Sequence, residues 1–144
     1  MTTTFVGEIP ATRACELANV TYRQLDYWAR RAWVCPSIDL GLGRAGRRLY
    51  GPADVVRLGA LGHFGQAGLD VGRLGPQLAA LELPLGTDFL ISADATHVDV
   101  CPSDQLRHQA SQARPRVFFD AGPLQARLRQ GSKDQTMTVT VRVA

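Results

Sequence analysis

Apolar and polar positions along this chain follow two different periods, and the change falls near residue 83. Before it, spacings of three and four dominate. Leu25 and Trp28, with Ala29 and Ala32, make one stripe of a helix predicted from about Tyr22 to Arg31, leaving Arg23, Asp26, Tyr27, Arg30 and Arg31 facing outward. A shorter helix, Arg13–Ala18, precedes it, with Thr12 as N-cap and Cys15, Leu17 and Ala18 turned inward. Asn19 and Val20 form the turn between them. Thr21 opens the second helix, because Gln24 three residues on completes a reciprocal capping box that satisfies orphan amides.

Around Pro36 the periodicity stops, and two short strands, Val34–Asp39 and Arg47–Tyr50, flank a tip holding Gly41, Gly43, Arg44 and Gly46, a wing-like hairpin. Gly51-Pro52-Ala53-Asp54 starts a helix reaching His63 or Gln66, with Val55, Leu58, Leu61 and Phe64 inward and Gly68 as its stop. Another helix spans Asp70–Glu82, and Gly72, Gly75 and Pro76 predict a kink or break near Pro76. Residues 1–11 form a loose arm in which Phe5, Val6 and Ile9 can pack against the body.

Beyond LPLGT at 83–87 the alternation is that of strands. TDFLISAD and HVDVC pair around an Asp94-Ala95-Thr96 turn, Ser103 caps a helix through about Gln112, PRVFFD is a strand, GPLQARLRQ a helix and TMTVTVRV a last strand. The expected fold class is α+β: an arm over 1–11, a winged helix-turn-helix domain over 12–82, and a small ββαβαβ domain over 83–144.

Charge sharpens this picture. The net charge of the 144 residues is +3. Residues 1–50 carry seven Arg against four acids, whereas residues 51–144 balance nine basic against nine acidic residues. The surplus lies wholly in the winged segment, as it does where one surface meets a polyanion. No apolar run approaches the ~20 residues needed to cross a bilayer, and no basic, then apolar, leader opens the chain, so the expectation is a soluble cytoplasmic, nucleoid-associated protein without membrane contact.

Catalytic and metal chemistry find little footing. Cys15, Cys35 and Cys101 have no ligand or disulfide spacing, and neither do His63, His97 and His108. Asp94, Asp99, Asp104 and Asp120 fall at turns and helix starts, where acids serve as caps, and no nucleophile–base pair or phosphate loop accompanies them. No enzymatic activity, cofactor or metal is expected.

What remains is a constellation for duplex DNA. The second helix of a helix-turn-helix enters the major groove near its N-terminus, which puts Thr21, Tyr22 and Arg23 nearest the bases. Tyr27, Arg30, Arg44, Arg47 and Arg48 then lie along sugar-phosphate, supplying salt-dependent affinity and orientation. Arg13 on the first helix and Tyr50 at the end of the wing complete the expected contact set.

The runs Tyr22-Arg23-Gln24-Leu25-Asp26-Tyr27-Trp28 and Arg48-Leu49-Tyr50, followed by Asp54-Val55, resemble the MerR family of winged helix-turn-helix transcription regulators over about residues 11–82. TYRQLDYWAR is particularly similar to an actinobacterial MerR-like group with a small α/β lobe in place of a metal-sensing tail. The resemblance implies a homodimer on a palindromic site, with Arg23 as recognition-helix arginine, Tyr27 as phosphate-contacting tyrosine and Arg48 as wing arginine. Asp26 stands where an arginine is common, Ala32-Trp33 replaces Gly-Leu at the helix exit, and Gly51 replaces a serine cap. Residues 83–144 are then expected to serve dimerisation, a small effector, or a protein partner such as RNA polymerase or another regulator. Two other readings are an architectural protein of the excisionase or recombination-directionality kind, and a protein-interaction module with a degenerate winged lobe.

Overall fold

The computed structural model describes residues 9–36, 38–39, 48–102 and 116–130. The wing tip with Arg44 and Arg47, the arm residues Phe5 and Val6, the helix expected from Ser103 to Gln112 and the last strand expected over 136–143 lie outside the described residues.

Ile9 does more than pack. Ile9–Pro10 is a strand, β1, and leads directly into helix α1, Ala11–Ala18. The expected cap at Thr12 is therefore corrected: Pro10 occupies the N-cap in extended conformation, without a side-chain cap bond, and Thr12 is already helical. Strand pairing decides this start, since Ile9 and Pro10 stand opposite Tyr50 and Leu49. Asn19 then takes the left-handed conformation at φ 57°, which its short polar side chain tolerates, and turns the chain toward α2, Tyr22–Arg30. The α2 capping box is present in full: Thr21 Oγ1 accepts the Gln24 amide at 3.1 Å, and Gln24 Oε1 accepts the Thr21 amide at 2.9 Å.

Among the described residues the wing forms a sheet of three short strands, because β1 joins the two hairpin strands. Strands β2 (Ile38–Asp39) and β3 (Arg48–Tyr50) pair antiparallel with Ile38 opposite Leu49, and β3 is central. Helix α3, Pro52–Gln66, opens as its sequence requires: the Gly51 amide donates to Asp54 Oδ2 at 3.2 Å and Pro52 sits where a missing amide costs nothing. Gly68, at φ 89°, closes it. Helix α4, Val71–Ala80, runs unbroken through Pro76. It is tied to α3 by Arg57, whose guanidinium donates to the Leu78 and Leu81 carbonyls at 3.2 and 2.7 Å, so the α4 C-terminus is satisfied from its neighbour.

Strands β4 (Phe89–Ala93), β5 (Val98–Pro102) and β6 (Val117–Asp120) form a second antiparallel sheet with β4 in the middle. As the sequence predicts, the β4–β5 turn is built on Asp94, whose Oδ1 accepts the amides of Thr96 and His97. Residues 121–130 are helical and form α5.

One hydrophobic cluster runs through both parts of the chain, from Ile9 through Leu25, Leu58 and Phe64 to Phe89, Ile91 and Leu128. The second sheet approaches α3 closely because of Gly59, where a Cβ would lie 2.9 Å from the Phe119 ring and 3.0 Å from Leu124. Polar side chains lace the same junction. Gln77 on α4 bonds the Thr96 carbonyl and the Val98 amide, Gln125 on α5 holds Gly86 and Thr87, and Arg127 reaches the Leu17 carbonyl of α1. Among the described residues, no helix is long and apolar enough to cross a membrane.

Candidate nucleic-acid interface

Helix α2 buries Leu25 and Trp28 and turns the rest of its circumference outward. Its first turn carries Tyr22 and Arg23, both exposed, directly after the Thr21 cap. Among the described residues Arg23 has no hydrogen bond or ion pair, so its guanidinium is available to an outside acceptor. A turn further on lies Tyr27, 48 % exposed. Arg31 stacks over its ring at 4.8 Å from the centroid, and Trp33 packs edge-on to it at 6.1 Å. A cation over an aromatic face is attracted by the ring quadrupole, so Arg31 is partly preorganised although its charge stays in solvent.

Asp26 occupies the centre of this face, and its carboxylate is used twice. Arg30 Nε lies 3.0 Å from Oδ2, one turn along the same helix, and Arg48 Nη1 lies 3.2 Å from Oδ1, across from strand β3. The two pairs differ in setting. The Arg30 side chain is 75 % exposed, whereas those of Arg48 and Asp26 are 24 % and 25 % exposed. Partial burial opposes the charge on Arg48, but the Tyr50 hydroxyl and the Asp26 carboxylate beside it outweigh that penalty and leave its pKa above the ordinary value. Asp26 thus ties strand β3 to helix α2.

Arg48 is therefore not the free phosphate ligand expected from its position in the wing. Tyr50 is a clearer correction: it is 0 % exposed, and burial pushes its phenol pKa up. Its side chain is part of the hydrophobic core at the end of β3, whereas Arg48 and Leu49 on the same strand are only part-buried, so Tyr50 is no part of an outward contact set. Its hydroxyl faces the Arg48 guanidinium, which partly offsets the effect of burial on the phenol. Arg13 is exposed on α1 but pairs with Glu16 at 3.1 Å. Arg44 and Arg47 lie outside the described residues. The structure thus brings Thr21, Tyr22, Arg23, Tyr27 and Arg30 onto one helix surface, adds Arg31, and sets Arg48 at its edge.

The sequence placed Arg31 and Asp26 on the outward face but gave Arg31 no contact and did not foresee the part played by Asp26. The Asp26–Arg30 spacing of four was legible as a helix pair. The Asp26–Arg48 contact spans 22 residues, and no local pattern announces it.

The other candidate groups lie elsewhere and are in structural use. Trp28 and Trp33 are core residues, and Trp33 rests against Gly75 of α4. Cys15 is buried, and burial pushes its thiol pKa up, with Glu16 adding to the rise. Asp99 accepts from Arg116 at 3.3 Å, Asp94 forms a longer ion pair with it at 4.0 Å, and Arg116 also donates to the buried Ser92 hydroxyl at 3.0 Å.

Comparison with known proteins finds similarity over the segment that contains this surface. Residues 10–74 match the family described as MerR HTH family regulatory protein. The chain is also 51% identical, over 45 residues, to proteins from Mycobacterium bovis and Mycobacterium tuberculosis, each named an uncharacterized HTH-type transcriptional regulator. That match covers 31% of this chain and 20% of each relative, so the chain spans about a fifth of their length.

Proposed function

With residues 10–74 carrying a MerR-type helix-turn-helix domain, we propose that the chain is a sequence-specific DNA-binding regulator of transcription that reads a major groove with α2. The observation that carries this reading is Arg23: an exposed guanidinium, without a partner among the described residues, in the first turn of a helix with a complete N-terminal capping box. In a docked helix-turn-helix those are the positions nearest the base edges, and Arg is the residue best suited to a bidentate bond with guanine.

Tyr22 and Thr21 flank Arg23 at the same helix end, while Tyr27 and Arg31 face the sugar-phosphate beside it. One such unit reads few base pairs, so the protein acts as a homodimer on a two-fold symmetric site. Residues 12–82 are the DNA-binding unit, and residues 83–144 supply the dimer contacts or the surface for an effector or partner protein. Such a regulator works in the cytoplasm, at the nucleoid.

Selection of bound duplexes from a random pool tests this directly, and a two-fold symmetric consensus is expected. Against that consensus, Arg23→Ala costs about 1–3 kcal/mol in discrimination against the wrong base while leaving non-specific binding nearly unchanged. Arg31→Ala instead weakens all sequences alike and flattens the salt dependence. Equal losses for both variants on every sequence refute the assignment of base reading to Arg23.

A further inference from the structure

An acid in the middle of a surface that meets phosphate is out of place unless it has a task. Asp26 lies between Arg23, one turn before it, and Arg30, one turn after it, on the exposed side of α2. Its two oxygens are each committed to a guanidinium, at 3.0 Å to Arg30 and 3.2 Å to Arg48. We propose, on the DNA-binding reading above, that Asp26 is a specificity-determining residue: it withholds Arg30 from phosphate and locks the wing strand to the recognition helix through Arg48.

Two consequences of one carboxylate favour the right sequence over the wrong one. Phosphate contacts supply affinity without sequence information, so every cation held in an internal pair lowers the affinity for all DNA alike. A negative charge on the same face also repels the backbone. Base contacts from the first turn of α2 must then make up a larger share of the binding free energy. The Arg48 pair acts in the same direction, because a fixed angle between α2 and β3 lets both engage only when the helix is seated in register. The more exposed Arg30 pair governs charge, and the part-buried Arg48 pair governs geometry.

The test compares unsubstituted protein, Asp26→Asn, Asp26→Glu and Arg30→Gln on the selected consensus duplex and on a scrambled duplex, across a salt series. Asp26→Asn frees Arg30 for about one further phosphate. At about 0.1 M salt this raises affinity for scrambled DNA roughly eightfold and steepens the log–log salt slope by about one. Consensus affinity rises less, because the wing is no longer held, so the specificity ratio falls. Asp26→Glu, which keeps the charge, restores the ratio, and adding Arg30→Gln to Asp26→Asn returns the slope to its starting value.

A merely structural Asp26 gives weaker binding to both duplexes with the slope unchanged, and that outcome overturns the proposal. Should Asp26→Asn fail to fold, Arg30→Gln alone decides: the proposal requires a nearly unchanged slope, and a slope flattened by about one overturns it. Absence of any salt-dependent binding by the unsubstituted protein refutes the DNA-binding reading itself, and this inference with it.

Discussion

Replacing Gly75 by alanine sets two effects of opposite sign against each other. Gly75 lies inside α4, where alanine is the better helix former by about 0.5–1 kcal/mol. A Cβ there, however, would fall 2.4, 2.6 and 2.8 Å from three atoms of the Trp33 ring system. Trp33 is buried and planar, so no flexible chain end can swing away and the helix and the indole must separate. Overpacking of this kind costs about 1–3 kcal/mol, and three simultaneous contacts put this site toward the upper end. The net loss is about 1–2 kcal/mol, which lowers Tm by about 3–6 °C for a domain of this size. Gly65→Ala is the matched control. It makes the same change in α3, at an exposed site where the new methyl meets only Val71 at 3.5 Å, an ordinary contact. It stabilises by about 0.4–1 kcal/mol. Thermal unfolding of the two variants followed by circular dichroism checks the pair, and a Tm that rises in both refutes the placement of Trp33 against α4. Because Trp33 also packs edge-on to Tyr27, Gly75→Ala is further expected to weaken DNA binding more than its stability loss explains.

Two other outcomes follow from backbone strain and from charge. Ala32, at φ 59°, holds the left-handed conformation at the exit from α2, which costs a residue with a Cβ about 1–2 kcal/mol; Ala32→Gly, after its own entropic penalty, stabilises by up to about 1 kcal/mol in urea unfolding, and a loss of stability contradicts the strain. The Asp94 carboxyl accepts the Thr96 and His97 amides, with Arg116 a smaller influence, and these hold its pKa down at about 2. A depressed native pKa stabilises above the unfolded-state value of about 3.9, and the contribution disappears as pH falls through about 2, so Asp94→Asn flattens the stability–pH profile between about pH 4 and 2. An unchanged acid limb in a pH series of unfolding curves contradicts this assignment.

The legible parts of this protein are those set within a few residues of one another. The Thr21–Gln24 box, the Gly51-Pro52-Asp54 helix start, the Asp94 turn and the inward stripe of Leu25 and Trp28 all depend on contacts three or four positions apart, which sequence spacing encodes directly. The same locality made the outward face of α2 readable, and with it Tyr22, Arg23 and Tyr27. Where long-range pairing competes, local rules lose. Thr12 is a good cap by type, yet the pairing of Ile9 and Pro10 with β3 starts the helix earlier. Tyr50 looks like a surface aromatic at the end of a basic hairpin, yet it lies on the central strand and is buried. Pro76 threatens a break, but the tie from Arg57 across to the α4 C-terminus and the Trp33 contact at Gly75 accompany a continuous helix.

Sequence alone thus determined that α1 to α4 and the β4–β5 hairpin form and that α2 presents a basic, aromatic face, because amphipathic period and capping chemistry act over one or two turns. Tertiary structure alone decided which of those charges are paired among the described residues. Arg23 and Arg48 are both arginines in a basic segment, but only Arg48 meets a carboxylate 22 residues away, and that meeting exists only once the wing has folded against the helix.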